Sequence, residues 1–419
     1  MKKGRKLGSG LLAAAMSFSL FTGSGEAMEL SKEQEGKDEI RVLIKGSSST
    51  LTKAKNKYHQ KQNFGSEGFS STVSSEEYKE LTRNQDLTVE KVTKFTIAQA
   101  KSPKAIAAAV PSAKIPWGIK AIYNDPSLTN TSGGSGIKVA VLDTGTAKTH
   151  PDLAANVEQC KDFTTSSTYI NNSCADNNGH GTHVSGTVLA NGGTNGQGIY
   201  GVAPQSKLWA YKVLGDDGSG YSDDIAAAIR HAADQSTSTN SKVIISMSLG
   251  SSSKDSLITS AVTYAANKGV LIIAAAGNSG SSANTIGYPG ALTNVVAVAA
   301  LENVQENGTY RIANYSSRGN PNTDGDYFIQ EKDVEVSAPG SAIESTWYNG
   351  GYHTISGTSM ATPHVAGLAA KIWSSNGSLS NTGVRTQLQT KAKTYDIKGG
   401  IGAAAGDDYA SGFGFPRVK

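Results

Sequence analysis

Short apolar runs alternate with amphipathic stretches from about residue 110 onward. Five of these runs read IKVAVLD, LWAYKVL, KVIISMSL, GVLIIAAAG and NVVAVAAL. Short continuous runs of this kind predict buried strands covered on both faces, as in a parallel sheet. Four other stretches predict helices: HGTHVSGTVLA, DDIAAAIRHAAD, SLITSAVTYAANKG and SMATPHVAGLAAKIW. Alternating strands and helices predict an α/β fold with a mainly parallel central sheet flanked by helices.

The part of the chain before this pattern has a different composition, with more Lys and Glu. There IRVLIKG predicts a strand, residues 50–62 predict a helix, and LTVEKVTKFTI predicts another strand. These elements are enough for a small α+β module over residues 28–109. The linker AKSPKAIAAAVPSAK is built of small residues and predicts a boundary, with a second domain over residues 110–419.

The first residues predict a secretory signal peptide over residues 1–27. MKKGRK is basic, LGSGLLAAAMSFSLFTG is a short apolar core, and Gly25 and Ala27 are the small residues of a cleavage site. The apolar run is too short and too rich in Gly and Ser for a membrane anchor. We therefore expect a secreted, extracellular protein without a membrane anchor.

Charge and cysteine content narrow the class further. Only 18% of the 419 residues are charged and the net charge is +4, which argues against a nucleic-acid binder. The two cysteines, Cys160 and Cys174, predict a disulfide in a secreted chain, although two buried thiols are the alternative. That disulfide would close a loop of roughly 15 residues and stabilise the fold by about 3 kcal/mol.

One aspartate and two histidines are candidates for the acid and the base that would activate a nucleophilic hydroxyl. Asp143 ends a predicted buried strand, where a carboxylate needs a partner such as a histidine N–H; a turn-capping Asp is the alternative. HGTH offers His180 and His183 on one predicted helix, and the spacing alone does not choose between them. A metal pair would need a third ligand, and none stands out.

Ser359 opens a predicted helix, so its backbone N–H points out of the helix N-terminus and can stabilise an anion. A simple N-cap serine is the alternative. Asn278 follows an apolar strand in AAAGNSG, and its amide could be a second anion donor, although a turn asparagine is favoured when the motif is taken alone. An acid, a base and a hydroxyl in the order Asp, His, Ser form a set that attacks a carbonyl.

The strings VAVLDTG, NGHGTHVSGT, SMSLG, AAAGNSG and GTSMATPHVAG, in this order, resemble those of the subtilisin-like serine proteases (subtilases), secreted bacterial branch. The resemblance covers nearly everything from about residue 110. It implies a three-layer subtilisin-like fold and a serine endopeptidase that forms an acyl-enzyme. It assigns Asp143 as the orienting acid, His180 as the general base, Ser359 as the nucleophile and Asn278 as the oxyanion donor. The second histidine, His183, then has a structural role.

The resemblance also implies a substrate cleft for extended peptides. Two strand edges would hold the substrate backbone, and small residues would line the first specificity pocket; a wide apolar pocket favours large apolar or aromatic residues and broad specificity. The implied substrate-binding residues are Ser248, Leu249, Gly250, Gly218, Ser219, Gly220, Ala275, Gly277 and Gly287.

Residues 28–109 resemble the family's propeptide, which is an intramolecular chaperone and inhibitor. The linker segment from Ser102 to Ser112 would then contain the autoprocessing site. Expected partners are protein and peptide substrates and the chain's own propeptide, with no nucleic acid, and the mature enzyme is expected to be a monomer.

A calcium site is implied by Asp152 and the loop from Asn191 to Ile199. Hard oxygen donors on an irregular loop suit Ca²⁺. The loop is slightly longer than is usual in the family, and Ala113 replaces an N-terminal glutamine ligand. The implied donors are Asp152, the side chain of Asn195 and the carbonyls of Asn191, Gln197 and Ile199, with a weaker cation site at the carbonyls of Gly290, Leu292 and Val295. Acidic loops at 324–326 and 407–408 are further candidates or simply solvated charge.

Two other functions can be set against this interpretation. An esterase on an α/β-hydrolase fold needs a G-x-S-x-G elbow and the order Ser, acid, His, but Ala361 stands at the second glycine position and the order differs. A non-catalytic binding module is disfavoured because every catalytic position is intact.

Overall fold

The computed structural model describes residues 39–98, 108–166 and 168–419, so the predicted signal peptide lies outside it. The strands are β1 (Ile40–Gly46), β2 (Gln60–Asn63), β3 (Phe69–Val73), β4 (Leu87–Lys91), β5 (Lys94–Ile97), β6 (Ile137–Asp143), β7 (Val157–Asp162), β8 (Ile170–Asn171), β9 (Lys207–Lys212), β10 (Ser219–Tyr221), β11 (Lys242–Met247), β12 (Leu249–Gly250), β13 (Leu271–Ala275), β14 (Val296–Glu306), β15 (Thr309–Ile312), β16 (Val336–Pro339), β17 (Ile343–Thr346) and β18 (Tyr352–Ile355). The helices are α1 (Ser48–Lys57), α2 (Ser75–Arg83), α3 (Trp117–Tyr123), α4 (His180–Leu189), α5 (Ser222–Ser238), α6 (Ser256–Asn267), α7 (Thr358–Ser375) and α8 (Asn381–Thr394).

The largest sheet has the strand order β15-β14-β13-β11-β6-β9-β7-β8, and β16 also pairs with β14. The strands from β14 through β13, β11, β6 and β9 to β7 run parallel, whereas β15 and β8 are antiparallel at the two edges. The five predicted apolar strands are found here as β6, β9, β11, β13 and β14. The predicted α/β fold with a mainly parallel sheet is therefore confirmed.

Helices cover this sheet in two groups. Helices α4 and α7 pack against each other and against the central strands, and α5 and α6 form a second packed pair against β11 and β13. Because the central strands are covered, Val139, Ile244 and Ile272 are buried in one hydrophobic core. Full burial of each such side chain stabilises the fold by about 1.5–3 kcal/mol. None of the helices in the described residues is long and apolar enough to cross a bilayer.

Residues 39–92, here called the N-terminal module, form a separate antiparallel sheet in the order β2-β3-β1-β4 with α1 and α2. The module has a small core of its own around Val42, Ile44 and Phe69, while Leu43 and Phe64 pack into the larger core. The predicted helix over residues 50–62 is too long, because α1 ends at Lys57 and β2 begins at Gln60.

The sequence LTVEKVTKFTI is not one strand, and this prediction is wrong. β4 pairs with β1 only up to the start of β1, where the N–H of Val92 donates to the carbonyl of Arg41 at 3.0 Å. Beyond that point the module offers no backbone partner, so the chain leaves its sheet. β5 then pairs between β10 and β12, near the carboxyl ends of the parallel strands.

The predicted linker falls partly on residues 99–107, which lie outside the described residues. The described chain resumes at Ala108, which pairs with Tyr352 through two backbone hydrogen bonds of 2.8 Å. Farther on, Cys160 on β7 and Cys174 form a disulfide with a Cα–Cα distance of 5.2 Å, which confirms the predicted pairing.

Candidate active site

The end of β6 and the start of α4 bring an acid and an imidazole together. Nδ1 of His180 lies 2.8 Å from Oδ1 of Asp143, and both side chains are buried. A carboxylate only accepts, so Nδ1 carries the hydrogen and Nε2 of the neutral ring is left as a proton acceptor. Nε2 is buried and has no hydrogen-bond partner among the described residues. His180 is thus oriented by Asp143 and free to take a proton.

The glycine after His180 permits this approach. A Cβ on Gly181 would lie 2.1 Å from the carbonyl oxygen of Gly145, in the turn that follows Asp143. Any side chain at position 181 would push α4 away from the end of β6. In the H-G-T-H motif the glycine is therefore required for steric reasons, whereas His180 is required for its chemistry.

Asp176 supports the positions of both Asp143 and His180, and it was not predicted. Its Oδ1 accepts hydrogen bonds from Thr144 Oγ1 at 2.9 Å and from the N–H of Gly179 at 2.8 Å, and its Oδ2 accepts from the N–H of Thr182 at 2.9 Å. The carboxylate ties the turn after Asp143 to the first turn of α4. Its position four residues before His180 was visible in the sequence, but nothing there separates it from an ordinary loop acid.

His183 lies on the same helix and contacts neither Asp143 nor the cleft. Its Nε2 donates to the carbonyls of Ile343 and His353, at 2.9 and 3.1 Å. Burial lowers the pKa of His183 to about 3, so the ring stays neutral. It links α4 to β17 and β18.

Ser359 is the second residue of α7, and its position depends on Ser248 at the end of β11. Pro363 lacks the N–H that would bond the carbonyl of Ser359 within the helix. The hydroxyl of Ser248 donates to that carbonyl instead, at 2.8 Å. The hydroxyl of Ser359 donates to the carbonyl of Ser248 at 3.1 Å rather than to His180. Hydrogen bonds between a nucleophile and its base often form only in the reacting complex.

Asn278 and the backbone of Ser359 converge on one oxygen atom, the carbonyl oxygen of Ala98. It accepts from Nδ2 of Asn278 at 2.5 Å and from the N–H of Ser359 at 3.1 Å. Oδ1 of Asn278 accepts from the N–H of Thr358 at 3.0 Å and from its hydroxyl at 3.2 Å, which orients the amide. Thr358 was not predicted as a site residue.

The chain of β5 fills the cleft as an extended peptide. Its backbone pairs with Ser219 and Gly220 on one side and with Leu249 and Gly250 on the other. The N–H of Ile97 donates to Gly218 at 2.9 Å, and the N–H of Ala98 donates to Ser248 at 3.0 Å. The six predicted edge residues all lie along this peptide. Tyr221 and Ser222 continue the edge that Gly218, Ser219 and Gly220 begin, and they were not predicted.

A cavity of about 300 Å³ lies beside Ala98. It is lined by Ala275, Gly277 and Gly287, as the sequence predicts, and also by Gly250, Ser251, Ser252, Ser279 and Thr285. No charged side chain lines it among the described residues. The alanine side chain leaves most of this volume free, so larger uncharged side chains can enter.

Comparisons with known proteins agree with this geometry. Residues 134–414 match the Subtilase family. The chain belongs to the subtilase family. It is 61% identical over 388 residues to a subtilisin of Bacillus sp. (strain TA39), covering 92% of each protein. Among solved structures, Sphericase is 73% identical with a TM-score of 0.73, and S41 Psychrophilic Protease is 66% identical with the same TM-score. Each covers 74% of this chain, which spans 99% and 100% of their own lengths.

This subtilase is a serine endopeptidase, and the esterase and binding-module alternatives are set aside.

Its predicted calcium donors lie on a loop that wraps around Asp152. The buried Oδ2 of Asp152 accepts from the N–H of Ile199 at 2.8 Å and from the hydroxyl of Tyr352 at 2.9 Å. A Cβ on Gly198 would lie 1.9 Å from Oδ1, so the loop backbone runs directly against the carboxylate.

The rest of the loop is held by its own backbone. The N–H of Asn191 donates to the carbonyl of Asp152 at 3.0 Å, and the carbonyl of Ile199 accepts from Gly192 at 2.9 Å. The Gln197 amide donates to the carbonyl of Asn195 at 3.4 Å. Within the part of the chain that the structure describes, no group of three His, Cys, Asp or Glu side chains forms a metal site. A cation here would be held by one carboxylate with amide and carbonyl oxygens, which are donors that suit Ca²⁺.

The second predicted cation site is a poorer fit. The carbonyl of Leu292 accepts from the N–H of Val295 at 2.9 Å, and the carbonyl of Val295 accepts from Nη2 of Arg385 at 3.3 Å. A Cβ on Gly290 would lie 2.6 Å from the carbonyl oxygen of Ala275, so the backbone is tightly packed at this position. A guanidinium already supplies positive charge at this turn, so these residues do not fit a second cation well.

Proposed function

We propose that the chain is the precursor of a secreted endopeptidase that hydrolyses peptide bonds through an acyl-enzyme on Ser359. The observation that carries the proposal is the carbonyl of Ala98, which accepts hydrogen bonds from Ser359 N–H and Asn278 Nδ2. A carbonyl held by two such donors is polarised where negative charge develops during attack.

The proposed reaction follows from the positions of the four groups. Nε2 of His180 takes the proton of the Ser359 hydroxyl as the oxygen attacks the carbonyl carbon, and Asp143 stabilises the imidazolium. Asn278 Nδ2 and the Ser359 N–H stabilise the oxyanion. When the C–N bond breaks, His180 gives its proton to the leaving amine. Water, deprotonated by the same imidazole, then releases the acyl group and restores the hydroxyl.

Self-cleavage is proposed at the bond between Ala98 and Gln99. This is upstream of the segment 102–112 expected from the resemblance, and it follows from the position of Ala98 against the two donors. Ala108 pairs with Tyr352, so the chain from residue 108 onward stays with the enzyme. A second cut between residues 99 and 108 then gives a mature domain of about 74% of the chain, the same share that the solved relatives cover.

The released segment is proposed to be a propeptide that inhibits the enzyme and helps it to fold. β5 fills the cleft and contributes Phe95 to the large core, and the N-terminal module contributes Leu43 and Phe64. A parallel sheet with many nonlocal pairings folds slowly, and a module bound to its native edges lowers that barrier. Residues 1–27 are proposed to be the signal peptide for secretion, and the mature enzyme is proposed to act as a monomer.

Broad specificity is proposed for the cavity beside Ala98, with a preference for large apolar residues before the cleaved bond. Ca²⁺ is proposed at the Asp152 loop, with Asn195 by its side chain and Asn191, Gln197 and Ile199 by their carbonyls. The backbone at Gly198 lies directly against the carboxylate of Asp152, which supports a cation site at this loop. Ca²⁺ bound there would hold the loop in place.

Mass spectrometry of the secreted products tests the proposal. The unaltered chain should release a fragment that ends at Ala98, whereas Ser359→Ala should leave the precursor whole. Ser375→Ala, at the exposed far end of the same helix, is the matched control and should be processed normally. Processing of Ser359→Ala in a host without proteases would contradict self-cleavage. In digests of a denatured protein, cuts should follow large apolar residues, and cuts only after Lys or Arg would contradict the proposed pocket.

A further inference from the structure

Two acidic side chains at the start of α5 bind cations from the N-terminal module. Asp223 and Asp224 are buried, and Nε of Arg41 donates to Asp223 Oδ2 at 2.9 Å. Nη2 of Arg41 lies 2.6 Å from Asp224 Oδ1, and Nζ of Lys61 lies 2.9 Å from the same oxygen. The guanidinium of Arg41 also lies over the ring of Tyr221, at 4.7 Å from its centroid. Two carboxylates and an aromatic face together form a binding site for a guanidinium.

The acidic pair lies next to the end of the substrate cleft where the N-terminal side of the bound peptide enters. β10 pairs with β5, and the next residue, Ser222, donates its N–H to the carbonyl of Thr93 at 2.9 Å. Thr93 is the sixth residue before the proposed cleaved bond. The N–H of Val92 donates to the carbonyl of Arg41, so the Arg41 side chain starts beside the seventh residue.

Removal of residues 1–98 leaves the pair without these cations. Oδ1 of Asp223 already has no hydrogen-bond partner among the described residues, although it is buried. In the precursor, with both cations in place, burial and the neighbouring Asp223 raise the pKa of Asp224 to about 6. The helix N-terminus stabilises negative charge only partly, and two adjacent carboxylates repel each other. A ligand that brings a cation to this place is therefore favoured.

We propose that Asp223, Asp224 and Tyr221 form an acidic subsite of the mature enzyme, which binds an arginine or lysine side chain of the substrate six to eight residues before the cleaved bond. This inference rests on the proposed function. Arg41 occupies the subsite in the precursor, and extended basic substrates replace it after maturation. The subsite selects by charge at a distance from the bond, while the cavity beside Ala98 selects by size.

Extended peptides with the core Phe-Thr-Ile-Ala before the cleaved bond test the inference on the unaltered mature enzyme. Arginine is placed at the sixth, seventh or eighth position before the bond, and each peptide is compared with its neutral citrulline twin. We expect kcat/KM to rise about 3- to 10-fold at one or more positions. The gain should shrink in high salt, because exposed charges are screened. Equal rates for the twins at all three positions would overturn the inference.

Variants then assign the effect to the acidic pair. The ratio of kcat/KM between the arginine and citrulline peptides, taken within each enzyme, should fall to about one in Asp223→Asn/Asp224→Asn. Asp234→Asn removes a charge from the exposed far half of the same helix and should keep the ratio. An unchanged ratio in the double variant would refute the assignment. If the neutral twins are not cleaved at all, the proposed function fails rather than this subsite.

Discussion

The carbonyl of Ala98 is held by two donors, and the aim of one depends on a residue that touches no substrate. Thr358 donates both its N–H and its hydroxyl to Oδ1 of Asn278, and its hydroxyl also accepts from the N–H of Gly277 at 3.2 Å. The side-chain amide of Asn278 can rotate, so these bonds keep Nδ2 on the carbonyl. Thr358 is therefore a positioning residue for Asn278, the proposed oxyanion donor.

We expect Thr358→Val to lower kcat about tenfold while KM changes little. The change removes one hydrogen bond to Asn278 and leaves the Gly277 N–H without its acceptor, at a cost of about 1–2 kcal/mol. The part of that cost that comes from misplacing Nδ2 of Asn278 falls on the transition state, where the oxyanion is strongest, and each 1.36 kcal/mol is about tenfold in rate. Steady-state kinetics on one peptide substrate measures it.

Thr362→Val is the matched control, because among the described residues the hydroxyl of Thr362 bonds only to the carbonyl of Thr358 within the same helix. It should leave kcat close to that of the unaltered enzyme. Equal losses in both variants would mean that α7 itself is disturbed. An unchanged kcat in Thr358→Val would show that Asn278 needs no such support.

At the scale of elements, the helices that carry the site each contain a buried, neutral histidine. His183 in α4 donates to two carbonyls, and His364 in α7 bonds the carbonyl of Met360 at 2.7 Å. Burial lowers the pKa of His183 to about 3 and that of His364 to about 4. A Cβ on Gly118 would lie 2.5 Å from Nε2 of His364, so no larger residue fits beside that ring.

These histidines predict that the enzyme loses stability in mild acid. Below about pH 6.5 the unfolded chain takes up a proton at each histidine, whereas the folded chain does not until about pH 4 or lower. The free energy of unfolding should therefore fall as pH drops from about 6.5 to 4, by up to about 1.4 kcal/mol per histidine and pH unit. Denaturant unfolding of the inhibitor-blocked mature enzyme at several pH values measures this fall.

His364→Gln should reduce the slope of the free energy of unfolding against pH by the equivalent of about one proton. Glutamine does not titrate but can still donate to the Met360 carbonyl. A slope equal to that of the unaltered enzyme would mean that His364 does not contribute. A slope that is lost entirely would assign the whole effect to this one residue and exclude His183.

The periodicity of the sequence predicts elements better than it predicts their partners. Continuous apolar runs identify β6, β11 and β13 because both faces of those strands are buried. The division of LTVEKVTKFTI into β4 and β5 has no such signal, since it depends on where β1 begins and on free edges more than 100 residues away. The roles of Asp176 and Thr358 are equally hidden, because their partners are set by tertiary contacts.

At the scale of the whole molecule, the motifs predict the fold and the residue types of the site, while the contacts of the site depend on the N-terminal module and on the segment from β5 to Ala98. Ser359 is fully buried, and its N–H donates to the carbonyl of Ala98, the residue directly after β5. Motif spacing assigns a nucleophile to position 359, but it does not reveal that Ala98 lies against it. Neither does composition reveal that Arg41 reaches Asp223, because the two are 182 residues apart.

The Asp152 loop joins three distant stretches of the chain, namely the residues around 152, the loop 191–199 and Tyr352 on β18. If Ca²⁺ occupies it, chelation should lower the melting temperature of the inhibitor-blocked enzyme by about 5 °C or more. Binding at 100 times the dissociation constant stabilises a fold by about 2.7 kcal/mol, and about 2–4 °C accompanies each kcal/mol in a domain of this size. Calorimetry with and without chelator measures the shift.

Asp152→Asn keeps an oxygen that can accept from Ile199 and Tyr352 but removes the charge that holds a divalent cation. Its melting temperature should therefore be lower and no longer respond to chelator. Asp125→Asn, which removes an acid that pairs with Lys419 at 3.0 Å, should respond as the unaltered enzyme does. If chelation destabilises Asp152→Asn as much as the unaltered enzyme, the cation lies elsewhere. If chelation changes neither, the loop is held by its own hydrogen bonds, since the Ile199 N–H and the Tyr352 hydroxyl already satisfy one carboxylate oxygen.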